Sequence, residues 1–399
     1  MNPLEKSSDV LIDVAKESPT AARSHKGSSL SRGGTHSTPT FRVLMGLVDR
    51  GQAGGVFAAE RSMIQGLAAL GNIEIGSFAF GSRESSAPLW NRAIRLAGDL
   101  IRFAGTVLRV RPDVIHLNSA YNRYGLCRDV LYLLIAKASR RRVFLKYHGS
   151  DAHLLAEGGG VWRGLTRVVV ALSARVGLLS TEELRNFVAA GFPAGKFSVV
   201  KNAVDVDRFR SAPPTDRTGG LLFIARFIRP KGLVDLLDAV ALLRERGRPV
   251  SLVCVGDGPQ MAEARERTRA LGLGDCVAFT GLLPEDETIR HYLAASILVL
   301  PTYHQEGFPM TILHGMAAGM AVVTTRIRAA ADYLREPENC IWAYPRQPAA
   351  LADSLERLLS NPSLCLQMGD RNRLRAGDFS GAVVASEYEK LYRSIAARP

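Results

Sequence analysis

Pro301-Thr302-Tyr303-His304-Gln305-Glu306-Gly307-Phe308-Pro309-Met310-Thr311-Ile312-Leu313-His314-Gly315-Met316-Ala317-Ala318-Gly319 is the stretch on which the fold turns. The residues before it, Ile297-Leu298-Val299-Leu300, form a short apolar run that suits a strand covered on both faces. The stretch itself opens an apolar, Ala- and Met-rich segment that reads as a helix. A strand, a loop and a helix start therefore meet within a few residues. The carboxylate of Glu306 lies in that loop beside Gly307, whose bare backbone admits a close ligand, and the first N–H groups of the helix are free to meet an anion. Such a corner suits a ligand carrying both hydroxyls and phosphate.

Short β-branched runs alternate with helical periodicity on either side, which argues for α/β architecture with parallel sheets wrapped by helices. The first series of strands is expected at 41–47, 113–117, 143–147, 176–179 and 197–200, with a helix at about 56–70. After the linker Ser211-Ala212-Pro213-Pro214-Thr215-Asp216 a second series is expected at 221–225, 251–255, 277–280, 297–300 and 321–324, with helices at 233–245 and 261–271. Two doubly wound domains facing each other across a cleft is the simplest arrangement. Ligands in such sheets bind beyond the carboxyl ends of the strands, which gathers the loops after Leu47, Tyr147, Ala225, Val255, Thr280 and Leu300 around one cleft.

The 399 residues are enough for two domains of ordinary size, and 47% apolar with 22% charged residues describes a globular chain. No apolar run reaches the roughly 20 residues of a membrane helix; the nearest, 168–180, is interrupted by Arg175. The first forty residues, rich in Ser, Thr, Gly and Lys, read as a disordered tail without a signal peptide. The five cysteines are scattered and read as reduced, mostly buried thiols of a cytoplasmic protein. Of the net charge of +13, residues 42–205 hold roughly +10. Anionic partners are therefore expected on that half. No aromatic residues interleave with the basic ones as nucleic-acid stacking requires, so an anionic substrate or the inner face of a membrane fits better.

Several further loops carry candidate residues. Gly51-Gln52-Ala53-Gly54-Gly55-Val56 joins a strand to a helix, where glycine serves either a tight turn or an approaching anion, and both readings fit. Lys146-Tyr147-His148-Gly149-Ser150-Asp151 places His148 at a strand end, available to hydrogen-bond a ligand, while His148, Asp151 and His153 match no familiar metal spacing. Arg226 and Lys231, five residues apart after a strand, can embrace a diphosphate, Arg by its planar fork and Lys as a point charge. A solvated basic loop is the plain alternative. The glycine turns Gly256-Asp257-Gly258 and Gly281-Leu282 can bring backbone against a flat base.

Taken in order, Gly54-Gly55, His148-Gly149-Ser150-Asp151, Lys201-Asn202-Ala203-Val204-Asp205, Arg226 with Lys231-Gly232, Val255-Gly256-Asp257-Gly258-Pro259 and Glu306-Gly307-Phe308 resemble the signature of the family 4 glycosyltransferases. The resemblance runs from about Phe41 to the C-terminus. It implies the GT-B fold: a first, acceptor-side Rossmann-like domain at 41–207, a donor-binding domain at 208–378, and a helix within 379–399 that crosses back to the first domain. It implies retaining transfer of a sugar from a nucleotide-diphosphate sugar to a hydroxyl of a glycan, glycolipid or small molecule, in polysaccharide or glycoconjugate synthesis. By that resemblance His148, Arg226, Lys231 and Glu306 form the catalytic set. Gly54, Gly55, Asn202, Gly256, Gly258, Leu282, Gly307, Phe308, Pro309 and His314 would bind the donor, with no metal or other cofactor.

One position departs from the family pattern. A second glutamate is usual eight residues after the first, for the donor ribose, and here it is His314. A neutral imidazole offers one hydrogen bond where a carboxylate serves two hydroxyls. A non-catalytic nucleotide-sugar binding protein is the alternative this suggests, and epimerisation of a nucleotide sugar a third, needing acid and base carboxylates in the first domain. The stretch 90–111 reads as a basic amphipathic helix, for which sheet packing and docking on an anionic membrane that carries a lipid-linked acceptor are both open.

Overall fold

Two six-stranded parallel sheets, each wrapped by helices, divide the chain. The computed structural model describes residues 41–47, 55–80, 89–156, 159–211, 219–305 and 307–397. The expected tail 1–40, Gly54, linker residues 212–216 and Glu306 lie outside them.

The first half runs β1 (Phe41–Leu47), α1 (Gly55–Ala69), β2 (Ile73–Ala79), α2 (Leu89–Val110), β3 (Val114–Tyr121), α3 (Arg123–Ala138), β4 (Arg142–Ser150), α4 (Ala152–Ala156), α5 (Gly160–Leu172), β5 (Arg175–Leu178), α6 (Thr181–Ala189), β6 (Phe197–Val199) and α7 (Val206–Ser211). Its sheet order is β2-β1-β3-β4-β5-β6. The second half runs β7 (Leu221–Ile224), a 3-10 turn (Arg229–Lys231), α8 (Leu233–Glu245), β8 (Leu252–Val255), α9 (Met261–Ala270), β9 (Val277–Gly281), α10 (Glu285–Ala294), β10 (Ile297–Leu300), α11 (Met310–Ala317), β11 (Ala321–Thr325), α12 (Arg328–Tyr333), β12 (Ile341–Ala343), α13 (Pro348–Leu359), α14 (Pro362–Ala376) and α15 (Gly381–Ala396). Its order is β12-β11-β10-β7-β8-β9.

The continuous apolar runs became the sheet interiors: β10 and β11 are buried at every residue, as strands covered on both faces must be. Two strands were not expected. β2 lies at a sheet edge with Glu74 exposed and Gly76 and Ser77 among its apolar residues, and β12 has three residues at the other sheet's edge. β4 also runs on to Ser150, so His148 is part of the strand. The cysteines are less buried than expected: Cys254 and Cys340 are buried, Cys276 and Cys365 partly so, and Cys127 is exposed.

The last helix does cross back. Val384, Ala385, Tyr388, Tyr392 and Ile395 of α15 share a core with Val43 and Met45 of β1 and Met63 and Leu67 of α1. The contact is close enough that a Cβ on Gly66 would overlap the carbonyl of Gly381, so glycine there is a packing requirement. Tyr392 Oη lies 2.7 Å from His116 Nδ1, Arg142 donates to the Ile395 carbonyl at 2.8 Å, and Tyr388 donates to the Lys201 carbonyl at 3.2 Å.

Candidate active site

In the second sheet the strand order reverses between β7 and β10, and the crevice beyond such a reversal is where α/β sheets take ligands. Both loops flanking it carry expected residues. Arg226 is exposed just past the end of β7, and Lys231, 8% exposed, closes the 3-10 turn that follows. Gly232 then takes a left-handed backbone at φ 77°, and a Cβ there would stand 2.6 Å from the Pro301 carbonyl oxygen. That close approach joins the two loops. The Pro230 carbonyl accepts from the Tyr303 N–H at 2.8 Å and the Thr302 hydroxyl at 3.1 Å, while Thr311 in the first turn of α11 donates to the Ile224 carbonyl at 3.1 Å. The basic turn and the N-terminus of α11 are thus built as one corner.

The glycines of the β8–α9 loop support that corner. A Cβ on Gly256 would overlap the Ala225 carbonyl, and one on Gly258 would stand 2.5 Å from that of Phe227. The Phe227 N–H donates to the Asp257 carbonyl at 2.8 Å and the Gln260 N–H to that of Phe227 at 3.0 Å, so the loop lies flat against the segment bearing Arg226. Leu282 stands in solvent at 78% exposure.

From the first sheet, β4 brings His148 to the same place. Its Nε2 lies 2.8 Å from Asn118 Oδ1 and 3.5 Å from Glu60 Oε1, and Asn118 Nδ2 donates to the Gly46 carbonyl at 3.1 Å. With two acceptors facing Nε2, that nitrogen carries the ring proton and Nδ1 remains an acceptor. Burial, then the charge of Lys146 and the neighbouring His116, hold the imidazole well below its usual range, so it is neutral at physiological pH. Glu60, 1% exposed, is ion-paired with Lys146 at 2.6 Å, and its Oε2 has no hydrogen-bond partner among the described residues. His116 beneath them is likewise held neutral by burial and Lys146.

The two halves touch at the loop after β10. The Gly307 N–H donates to the His148 carbonyl at 3.3 Å, and a Cβ on Gly307 would come within 2.8 Å of the Leu179 Cβ in the first half. Asn202 donates from Nδ2 to the Phe308 carbonyl at 3.3 Å; Phe308 is buried, and Pro309 caps α11. Gly307, Phe308, Asn202 and His148 are therefore brought together, with Gly55 opening α1. Arg61 of α1 also reaches Glu285 of α10 at 3.2 Å.

His314 sits elsewhere in character. Its ring packs 5.5 Å from that of Phe209 and 5.6 Å from that of Tyr292, and burial, opposed by Glu285 and helped by Arg208, pushes the imidazole down to about 4. It is a neutral member of an aromatic cluster beside the Arg208–Glu285 ion pair.

Glu60, Asn118 and Lys146 were missed from the sequence. Glu60 and Lys146 meet from α1 and β4, and nothing local in either segment announces the pairing; the charged Lys146 inside the apolar run 143–147 was the one available signal. Among the described residues no group of three or more His, Cys, Asp or Glu side chains is arranged to hold a metal ion.

A family model described as glycosyl transferases group 1 matches residues 206–375, from α7 to the end of α14. A D-inositol 3-phosphate glycosyltransferase of Corynebacterium diphtheriae is 31% identical over 350 residues, covering 82% of this chain and 80% of its own length. The chain belongs to the group 1 glycosyl transferases. Another relative, the 2-deoxystreptamine glucosyltransferase of Streptomyces kanamyceticus, is 31% identical over 211 residues, 49% of this chain and 53% of its own. The chain thus spans about half the length of that relative. Among solved structures HepE of Anabaena, in complex with UDP-glucose, superposes with a TM-score of 0.68 at 19% identity, over 88% of this chain and 99% of its own. At that identity the likeness speaks for the fold, which is GT-B. In this group 1 glycosyl transferase the two Rossmann-like sheets of the GT-B fold are those that carry His148 on one side and Arg226 and Lys231 on the other.

Proposed function

We propose that the chain is a retaining glycosyltransferase that moves a sugar from a nucleotide-diphosphate sugar to an acceptor hydroxyl in polysaccharide or glycoconjugate synthesis. The observation that supports this reading is the corner at the strand-order reversal, where the loop bearing Arg226 and Lys231 is hydrogen-bonded to the loop that leads into α11, and that second loop touches the His148 backbone through Gly307. As the bond to the sugar breaks, negative charge grows on the departing diphosphate. Cations and N–H groups fixed there stabilise the transition state without reorganising. Arg226 and Lys231 take the diphosphate oxygens, so the charge is met by protein groups and no metal is required of the site. Glu306 accepts from hydroxyls of the donor sugar, and the neutral His148 takes one more at Nδ1. Retention follows if a donor phosphate oxygen removes the acceptor's proton on the face the leaving group vacates. Because HepE is solved with UDP-glucose, UDP-glucose is the first donor to try.

The test is turnover. Arg226→Ala is expected to lower the rate of UDP release from UDP-glucose by roughly 100- to 1,000-fold with the fold retained, and Lys231→Ala at least as much. Wild-type turnover by either folded variant would rule the assignment out.

The acceptor enters, on this reading, over the basic first half, from an anionic membrane. α2 supports that choice. Leu96, Leu100 and Phe103 pack on the first sheet's core, but Trp90, Ile94, Ile101 and Leu108 are 66%, 62%, 73% and 66% exposed, in one stripe of the helix. Arg95, Arg102 and Arg109, all exposed, run beside the stripe. Such a face suits the boundary between anionic headgroups and acyl chains. No helix among the described residues is long and apolar enough to cross a membrane. Co-sedimentation with vesicles containing anionic lipid at low salt, and none with neutral vesicles, is the expected result; failure to bind anionic vesicles removes the membrane from the proposal.

A further inference from the structure

Four non-glycine residues among those described have a left-handed backbone, Arg111, Arg140, Arg328 and Arg346. Three are exposed, but Arg328, at φ 49°, is 3% exposed. Residues with a Cβ avoid that conformation, and one that keeps it is held there by its surroundings. Those surroundings belong to the other half of the molecule. From the start of α12 the Arg328 guanidinium donates to Ser150 Oγ at 2.8 Å and to the Ser150 carbonyl at 3.0 Å, and pairs with Glu183 at 3.2 Å and Glu182 at 3.3 Å. Its backbone N–H donates to Glu182 Oε2 at 2.9 Å. Glu183 is fully buried and is itself fixed by the Ser150 hydroxyl at 2.8 Å, the Ser180 hydroxyl at 3.1 Å and the Leu179 N–H at 3.2 Å.

The same guanidinium reaches Gln305 Oε1 at 3.4 Å, and that oxygen also accepts from the Ala152 N–H at 3.1 Å. Next to Arg328, the Ala329 N–H donates to the Gly307 carbonyl at 3.4 Å, while the Gly307 N–H is on His148. Gln305 and Gly307 are the chain neighbours of Glu306, and Ser150 is two residues past His148. One side chain thus binds the segment bearing His148 to the loop bearing Glu306. The planar guanidinium, with five N–H donors in a fixed fork, serves acceptors on both sides at once, a spread that lysine's compact ammonium does not match.

We propose that Arg328 is a positioning residue that locks Gln305 and Gly307 onto the end of β4 and so sets the geometry between the two halves of the active site. Its effect on catalysis rests on the nucleotide-sugar reading above; the lock itself does not. Arg328→Gly suits the left-handed backbone, and adding Glu183→Gln avoids leaving a buried carboxylate without its partner. The full chain and the double variant are compared by amide hydrogen exchange without ligand, by thermal unfolding, and by UDP release from UDP-glucose. In the variant, exchange over 148–156 and 303–309 is expected to be roughly tenfold faster with β1 and β10 unchanged. Its kcat is expected to fall roughly 10- to 100-fold with KM for UDP-glucose little moved, and Arg328→Lys to restore only part of it. Unchanged exchange in those segments overturns the lock. A lowered Tm with wild-type kcat in the folded protein reduces Arg328 to a stabilising contact and overturns the positioning role. If the wild type releases no UDP, the functional reading fails on its own and the exchange comparison still decides the lock.

Discussion

His116, His148 and His314 are each held below the ordinary imidazole range, foremost by burial. The unfolded chain takes up a proton at each of them near pH 6.5, whereas the folded protein refuses it, at His314 until about pH 4. Between those limits the unfolded state binds more protons, so stability falls as pH drops from about 6.5 towards about 4 and is fully present above that window. Replacing His314 by Gln should remove close to one proton from the pH dependence of unfolding in that range. Equal slopes for wild type and His314→Gln would show that the ring is not buried as described. At this scale the sequence was informative at strand ends: Asn202, after β6, reaches the Phe308 carbonyl, and His148, near the end of β4, lies beside Asn118, while Arg226 and Lys231 fall in the loop after β7. It was silent on Glu60, Asn118 and Arg328, whose partners are distant in the chain and visible only once the strands are ordered. His314 was recognised as a departure, but its place between Phe209 and Tyr292 was not, since Phe209 arrives from α7.

Long periodic helices and doubly covered strands were legible as elements because burial on a fixed face leaves a fixed spacing. β2 and β12 were not, because an edge strand half open to solvent keeps Glu, Ser and Gly and a three-residue strand has no period to read. For α2 the apolar spacing concealed two faces. Packing explains Leu96, Leu100 and Phe103, and the stripe from Trp90 to Leu108 is surplus to it. Ile101→Glu, fully on the outer face, should therefore leave Tm within a degree or so while weakening anionic-vesicle binding severalfold; a large drop in Tm would place Ile101 in the core instead. The crossing of α15 has its own test. Gly66→Ala drives a methyl into the Gly381 carbonyl and should cost about 1–3 kcal/mol in chemical denaturation, and a neutral substitution would mean that α15 does not pack there.

For the whole molecule, the two halves are joined by the α15 core on the first sheet and by a second group of contacts around the loop after β10. Gly307 with His148 and Leu179, Asn202 with Phe308, and Thr181 donating its N–H to Asp332 at 2.7 Å all cross between sheets on the side where α11 begins. The tandem arrangement of two parallel sheets was readable from alternation and from the linker composition near residue 212. How closely they meet was not, because it depends on a glycine without a side chain and an arginine in an unfavoured conformation. On the proposed function, the corner after β7 and β10 holds the diphosphate of a sugar nucleotide. Calorimetric titration with UDP-glucose and a panel of other nucleotide sugars, in the presence of a metal chelator, tests it most directly when run on the wild type and Arg226→Ala. One member of the panel is expected to bind the wild type, and Arg226→Ala to lose roughly 10- to 100-fold in affinity with its fold intact. Binding of none of them, or equal affinity for both proteins, would contradict it.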